Sequence, residues 1–375
     1  MKFAIITHVP HILDENQYLA YAPYVREMNI WIKEVDTVML LAPKSGSTKT
    51  AIDLVYVHEN IEFVAMDSFD LLSLKGIFKT IFTIPKICWQ LYTSIQKADH
   101  IHLRCPGNIG LLGCFIQILF PNTPKTAKYA GNWDSKSKQP LTYKVQRWIL
   151  GNSLLTRNMK VLVYGEWEGS SKNIKPFFTA TYSESDKLPL HNKNLKGRID
   201  FVFVGTLANG KNPLYAIQLV ETVLKKGHDV VLKLYGEGAE RKNLERYVEQ
   251  NNLGHIISLE GNQNQQTLEK AYQDSHFVIL PSASEGWPKA IAEGMFWGCV
   301  PVATAVSCVP LMLDYGERGV LLTMNLEADC RQILTVISSE EDFKAMRTKA
   351  SDWSRQYTLD VFEEGIKELL FLEVR

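Results

Sequence analysis

The stretch PSASEGWPKAIAEGMFWGCVPVA, residues 281–303, holds two carboxylates, Glu285 and Glu293, eight positions apart around a Gly-Trp-Pro corner. The apolar run HFVIL precedes it, Pro288 is suited to a first helical position, and Gly298 to the position just past a helix end. Residues 281–287 therefore read as a strand-to-helix loop at the carboxyl edge of a parallel sheet, where open α/β sheets bind ligands. Free backbone N–H groups and the positive end of the helix attract an anion there, and a phosphate is the natural guest. Gly286 lets that backbone approach closely. Carboxylates do not bind phosphate, but they accept hydrogen bonds from hydroxyl groups. Glu285 ahead of the helix and Glu293 inside it would reach hydroxyls on either side of the anion. A molecule with hydroxyls on both sides of a diphosphate is a nucleotide sugar.

The elements needed to position such a loop are legible along the whole chain. Residues 2–7, 37–42, 61–65, 100–104, 126–131 and 160–165 read as apolar strands, with helical spacing at 18–33, 70–97, 107–119 and 141–155. A polar, Pro- and Gly-containing stretch, 181–198, reads as a linker. A second series then alternates strands at 199–205, 229–236, 255–261, 276–281 and 299–304 with helices at 212–226, 238–251, 266–274 and 288–297. Near-continuous apolar strands with helices between them imply parallel sheets covered on both faces. Residues 341–370 read as one or two terminal helices. The expected divisions are a first domain over 1–180, the linker over 181–198, a second domain over 199–340 and C-terminal helices over 341–375.

At 375 residues the chain exceeds one ordinary core. Its 46% hydrophobic and 22% charged fractions are those of a globular protein. The start, MKFAIITHVPHILDENQ, has one basic residue before a short apolar run, so it reads as a buried strand and not as an export signal. Six cysteines without metal-ligand spacing fit a reduced, cytoplasmic setting. No run reaches the roughly 18 apolar residues of a spanning helix. The net charge is zero but unevenly spread: residues 1–198 hold 24 basic and 16 acidic side chains, residues 199–375 hold 17 and 25. The basic excess lies within 75–198. There Lys75, Lys79, Lys86 and Lys97 alternate with Phe78, Phe82, Trp89 and Tyr92, a composition that suits peripheral contact with an anionic membrane, such as the inner face of the plasma membrane, as well as it suits a solvated helix face.

The segment SASEGWPKAIAEGMFWGCVPVAT resembles the EX7E signature of family 4 glycosyltransferases (GT4, glycosyl transferases group 1). FVFVGTLANGKNPLYAI, LKLYGEGAERKNLE and ISLEGNQNQQTLEKAYQDSHFVILPS resemble the other landmarks of that family's second domain. The resemblance implies an α/β fold of the GT-B type, with two Rossmann-like doubly wound domains facing a cleft and C-terminal helices crossing the domain junction. It implies a retaining, metal-independent hexosyltransferase with no cofactor. The partners it implies are a nucleotide-sugar donor (a UDP- or GDP-sugar) and a saccharide or polyprenyl-linked acceptor, with no nucleic acid. DHIHLRCPGNIGLLG is similar to a stretch of capsule and exopolysaccharide transferases, which places the reaction in surface polysaccharide synthesis.

Carried onto this chain, the resemblance gives Glu285 the hydroxyls of the transferred sugar, Glu293 the ribose, and Lys211 the diphosphate leaving group. Gly286, Trp287, Lys289, Gly205, Thr206 and Gly236 are expected around the donor. Thr206 stands where the family usually has Arg, and the first half lacks the usual His-Asp pair, GNWD standing in its place. Asp134 is the candidate there for the donor sugar or the acceptor hydroxyl, against a loop-capping role. Arg104 is a candidate for an acceptor phosphate, against a salt bridge with Asp99 or Asp134. His8 and Asn16, after the first strand, are candidates for the acceptor side. The missing Arg and His also leave room for a non-catalytic sugar-nucleotide-binding partner subunit. A sugar-nucleotide epimerase is poorly matched by the glutamate segment.

Overall fold

A computed structural model describes residues 1–50, 52–67 and 74–371, the side chains of 74–82 excepted. Lys75, Phe78, Lys79 and Phe82, half of the expected basic and aromatic set, therefore lie outside the described side chains. The chain divides into two compact units, Met1–Phe178 with Glu363–Arg375, and Thr179–Phe362.

The first unit runs β1 (Lys2–Ile6), β2 (Ile12–Asp14), β3 (Gln17–Tyr21), α1 (Ala22–Trp31), β4 (Thr37–Pro43), β5 (Asp53–Val55), β6 (Ile61–Met66), α2 (Leu74–Ile95), β7 (His100–Cys105), α3 (Asn108–Ile116), β8 (Lys125–Tyr129), α4 (Leu141–Leu150), β9 (Met159–Val163) and β10 (Ile174–Pro176). Its main sheet has the order β10-β9-β8-β7-β1-β4-β6, every pairing parallel. Strands β7 and β8 at its centre are buried from end to end, with polar residues such as His102 and Lys128 included in that burial.

The expected helix over 18–33 is shorter than its periodicity suggests. Gln17–Tyr21 is a strand, paired antiparallel with β2 and β5, and α1 begins only at Ala22, with proline in its first turn. The turn between β2 and β3 needs positive φ at both central residues, Glu15 (44°) and Asn16 (67°). Asn16 is thus a hairpin residue.

The second unit runs β11 (Ile199–Val204), α5 (Pro213–Lys225), β12 (Val230–Tyr235), α6 (Arg241–Gln250), β13 (Ile257–Gly261), α7 (Gln265–Asp274), β14 (Phe277–Leu280), α8 (Lys289–Phe296), β15 (Val300–Thr304), α9 (Val309–Met312), β16 (Val320–Leu322), α10 (Leu326–Ile337) and α11 (Glu340–Ser354). Helix α12 (Leu359–Phe371) starts in this unit and ends in the first. The sheet order is β13-β12-β11-β14-β15-β16, all parallel. Both main sheets are Rossmann-like, and in both the strand order reverses beside the first strand: between β11 and β14 here, between β1 and β7 in the first unit.

Residues of the expected linker pack on the second unit. The buried Lys193 ammonium donates to the carbonyls of Tyr272, Ser275 and Gly298, and Arg347 donates to the carbonyls of Gly298 (2.8 Å) and His191. Helix α8 begins at Lys289, with Pro288 as its cap residue. It packs against β14 so closely that a Cβ on Gly294 would come within 2.6 Å of Val278.

Candidate active site

The reversal point of the second sheet is built from the loops that leave β11 and β14. They are tied together by their backbones: Ala283 N–H donates to the Gly210 carbonyl (2.9 Å), and the Asn212 amide donates to the Pro281 carbonyl (2.8 Å). Asn212 adopts a left-handed conformation (φ 48°) that turns the chain into α5. From β15, the Thr304 hydroxyl donates to the Ser282 carbonyl at 2.5 Å.

This bracing brings Lys211 and Glu285 together. The Lys211 ammonium lies 2.5 Å from Glu285 Oε1; the lysine side chain is 31% exposed and the carboxylate 8%. The two residues are 74 positions apart in sequence. A half-open cation held beside a nearly buried carboxylate, at the carboxyl edge of a parallel sheet, can meet an anion with the one and hydroxyls with the other. Sequence reading assigned both residues but missed the pair, since neither run carries any sign of the other.

The surrounding residues are close-packed. Gly205 follows the last residue of β11, and Thr206, exposed, comes next. Gly236, after β12, has φ 143°, and a Cβ there would stand 2.0 Å from the Gly205 carbonyl oxygen. No side chain fits between these two turns. The Gly286 carbonyl accepts from the Ser307 hydroxyl (3.2 Å) and the Cys308 thiol (3.1 Å). Burial, with Glu285 adding to it, pushes the Cys308 thiol up to about 12, so it stays protonated and holds the loop as a donor. Trp287 stacks on Trp353 (6.0 Å) and meets Tyr357 edge-on (5.4 Å).

Glu293 sits one helical stretch further. Its Oε1 accepts from the Thr181 hydroxyl (2.7 Å) and its Oε2 from the Tyr272 hydroxyl (3.1 Å). Burial, then the Glu293 charge, raises the Tyr272 phenol, which keeps its proton for that bond. Glu293, Lys289, Trp287, Thr181 and Tyr357 line a small recess at the start of α8. The carboxylate thus already binds hydroxyl groups, the chemistry expected of it, supplied here by the protein.

The first-unit candidates lie apart from one another in role. Arg104, at the end of β7, is held bidentate by Glu27 of α1, at 2.5 and 3.1 Å, and lies 5.5 Å from the Tyr24 ring centroid. Burial works against its charge and Glu27 more than offsets it, so its pKa is raised. The partner is neither Asp99 nor Asp134; Asp99 accepts the Lys2 backbone N–H, and Asp134 caps its own loop, accepting from Lys136 N–H (2.8 Å). His8 is exposed, on the loop after β1, with its ring against the position a Cβ on Gly107 would take. Desolvation, then Arg104, lowers its pKa. Asn16 belongs to the hairpin described above.

Comparison with known proteins bears on the second unit above all. Residues 186–353 match the family described as glycosyl transferases group 1. This is a GT-B fold. HepE of Anabaena, solved in complex with UDP and glucose, superposes with a TM-score of 0.69 at 13% identity over 99% of each chain. Sucrose-phosphate synthase of Thermosynechococcus elongatus does so with a TM-score of 0.68 at 16% identity over 98% of each. In sequence, an uncharacterised glycosyltransferase of Methanocaldococcus jannaschii is 26% identical over 216 residues, 52% of this chain. The chain spans 61% of that relative's length and 47% of that of a second, from Haemophilus influenzae. The group 1 region contains Lys211, Glu285 and Glu293, while Asp134 lies outside it.

Proposed function

We propose that the protein is a retaining hexosyltransferase that moves a sugar from a UDP- or GDP-sugar onto a glycan or polyprenyl-linked saccharide in surface polysaccharide synthesis. The observation that carries this reading is the Lys211–Glu285 pair at the reversal point of a sheet within the group 1 region. HepE, of the same fold, was solved with UDP and glucose.

In this reading the donor diphosphate lies against Lys211 and the N-terminal turn of α8, and Glu285 accepts hydrogen bonds from the sugar hydroxyls. Glu293 exchanges the Thr181 hydroxyl for those of the ribose. The bond from the anomeric carbon to the diphosphate breaks while the acceptor oxygen bonds to the same face. The acceptor proton passes to the departing phosphate, whose charge Lys211 and the backbone N–H groups stabilise. No step needs a metal, and transfer should be unchanged by EDTA. Thr206 brings no charge, which leaves this work to Lys211; it also favours a second reading, a non-catalytic sugar-nucleotide-binding partner subunit. Release of free UDP or GDP from sugar nucleotides separates the two: release that falls with Lys211→Ala supports the enzyme, and no release with any donor leaves only the partner.

A peripheral membrane contact belongs to the same proposal. Trp89 (67% exposed), Leu119 (62%), Trp148 (65%) and Leu154 (74%) stand out from the first unit. Trp89 is linked to Leu119 through stacking on Tyr92, whose ring meets Phe120. Among the described residues no helix is long and apolar enough to cross a membrane. Flotation with anionic vesicles, lost in a Trp148→Ser, Leu154→Ser variant, is the expected result; no flotation with acidic lipids refutes the contact.

A further inference from the structure

At the amino edge of the first sheet, opposite the edge where such sheets bind ligands, lies a cavity of 660 Å³. Its floor is formed where β1, β7, β8 and β9 begin, by Met1, Pro124 and Met159, and by Leu369 and Leu370 of α12. Its wall carries Arg157, Lys160 and Lys172. Arg157 and Lys172 are exposed, and no protein hydrogen bond or ion pair engages either side chain among the described residues. A fourth cation, Lys125, is spent on the Phe120 carbonyl (2.6 Å). Among the described residues the lining holds one carboxylate, Asp99, which is turned to the Lys2 backbone N–H (2.7 Å). The polar side chains at the rim are likewise satisfied internally: Asn158 donates to Asn122, and Asn173 to Leu150 and Thr156.

The result is a concavity of small-ligand size with an apolar floor and two wall cations, Arg157 and Lys172, that no described residue compensates. Such cations are set for an oxyanion, and the guanidinium fork of Arg157 matches phosphate geometry. The apolar floor asks for an organic body on that phosphate. We propose that this cavity is a binding site for an organic phosphate monoester, with the phosphate on Arg157 and Lys172 and the organic part on Met159, Leu369 and Leu370. The site is separate from Lys211 and Glu285 and stands whatever the donor reaction is. Because α12 starts in the second unit, a ligand seated on Leu369 and Leu370 grips a helix that both units share.

The test is calorimetric titration of the full chain with glycerol 3-phosphate and with dihexanoyl phosphatidic acid below its micellar concentration, each against wild type, an Arg157→Gln, Lys172→Gln variant and Lys211→Ala. Binding of either probe that weakens about tenfold or more in the double variant and is unchanged in Lys211→Ala supports the site. Glycerol 3-phosphate binding identifies a soluble source, and binding of the lipid probe alone identifies a headgroup. No binding of either probe, binding equal in the double variant, or binding lost with Lys211→Ala overturns the proposal. Both substituted residues are exposed, and an unchanged melting temperature verifies that the variant is folded.

Discussion

The two Rossmann-like units each set an ion pair near the point where strand order reverses, and they use it in opposite ways. Arg104–Glu27 in the first unit is sealed: the side chains are 10% and 4% exposed, the contact is bidentate, and Tyr24 covers it. Lys211–Glu285 in the second is single-pronged, with the cation 31% exposed. A buried bidentate pair of this kind fixes α1 against β7. A pair with one open member can trade its partner for a substrate. The same topology thus holds a closed pair in one unit and a half-open pair in the other.

The largest effect expected on breaking this contrast is on stability in the first unit. Glu27→Ala leaves the Arg104 charge buried without a partner and should cost about 3–5 kcal/mol, read by denaturant unfolding. If its cost equals that of a surface pair, the brace is no brace. Lys211→Ala should do the reverse: its cost in stability should be smaller than that of Glu27→Ala, because water reaches the lysine's side of the pair, while sugar transfer falls about 100-fold or more for want of leaving-group stabilisation. Glu293→Ala should weaken nucleotide affinity about tenfold, the size of a lost hydrogen bond to a charged group, in equilibrium binding.

A smaller effect sharpens the contrast through pH. In the first unit burial holds His11 down at about 4 and His100 at about 3, against an ordinary 6.5. Both are neutral in the fold and take up protons more readily when unfolded. Their contribution is fully present above about 6.5 and is lost as pH falls through about 4 and then about 3. In the second unit burial also lowers His276. Hydrogen exchange should therefore show the first unit loosening before the second between pH of about 6.5 and 4, and simultaneous loosening would contradict this.

How much of this was readable in the chain follows the kind of interaction. The parallel strands were legible because burial on both faces writes an unbroken apolar run, as in HFVIL. Glu285, Glu293 and Lys211 stand out in the sequence because they fall in local motifs whose spacing resembles a family pattern, and the structure pairs two of them. The partners were not. Glu27 lies 77 residues from Arg104, and Thr181 lies 112 from Glu293; side-chain pairing across such gaps is settled by topology, which leaves no local trace. The strand at Gln17–Tyr21 was hidden because five residues before a proline-started helix share its apolar spacing.

The central claim is that the open pair takes the diphosphate of a nucleotide sugar. It is tested most directly by titrating UDP, GDP and their sugar conjugates, without metal, into wild type and Lys211→Ala and following bound nucleotide by calorimetry. One nucleotide should bind the wild type and lose about tenfold or more in affinity when the lysine is removed. Binding of that nucleotide with undiminished affinity to the variant, or no binding of any nucleotide to the wild type, would contradict the account.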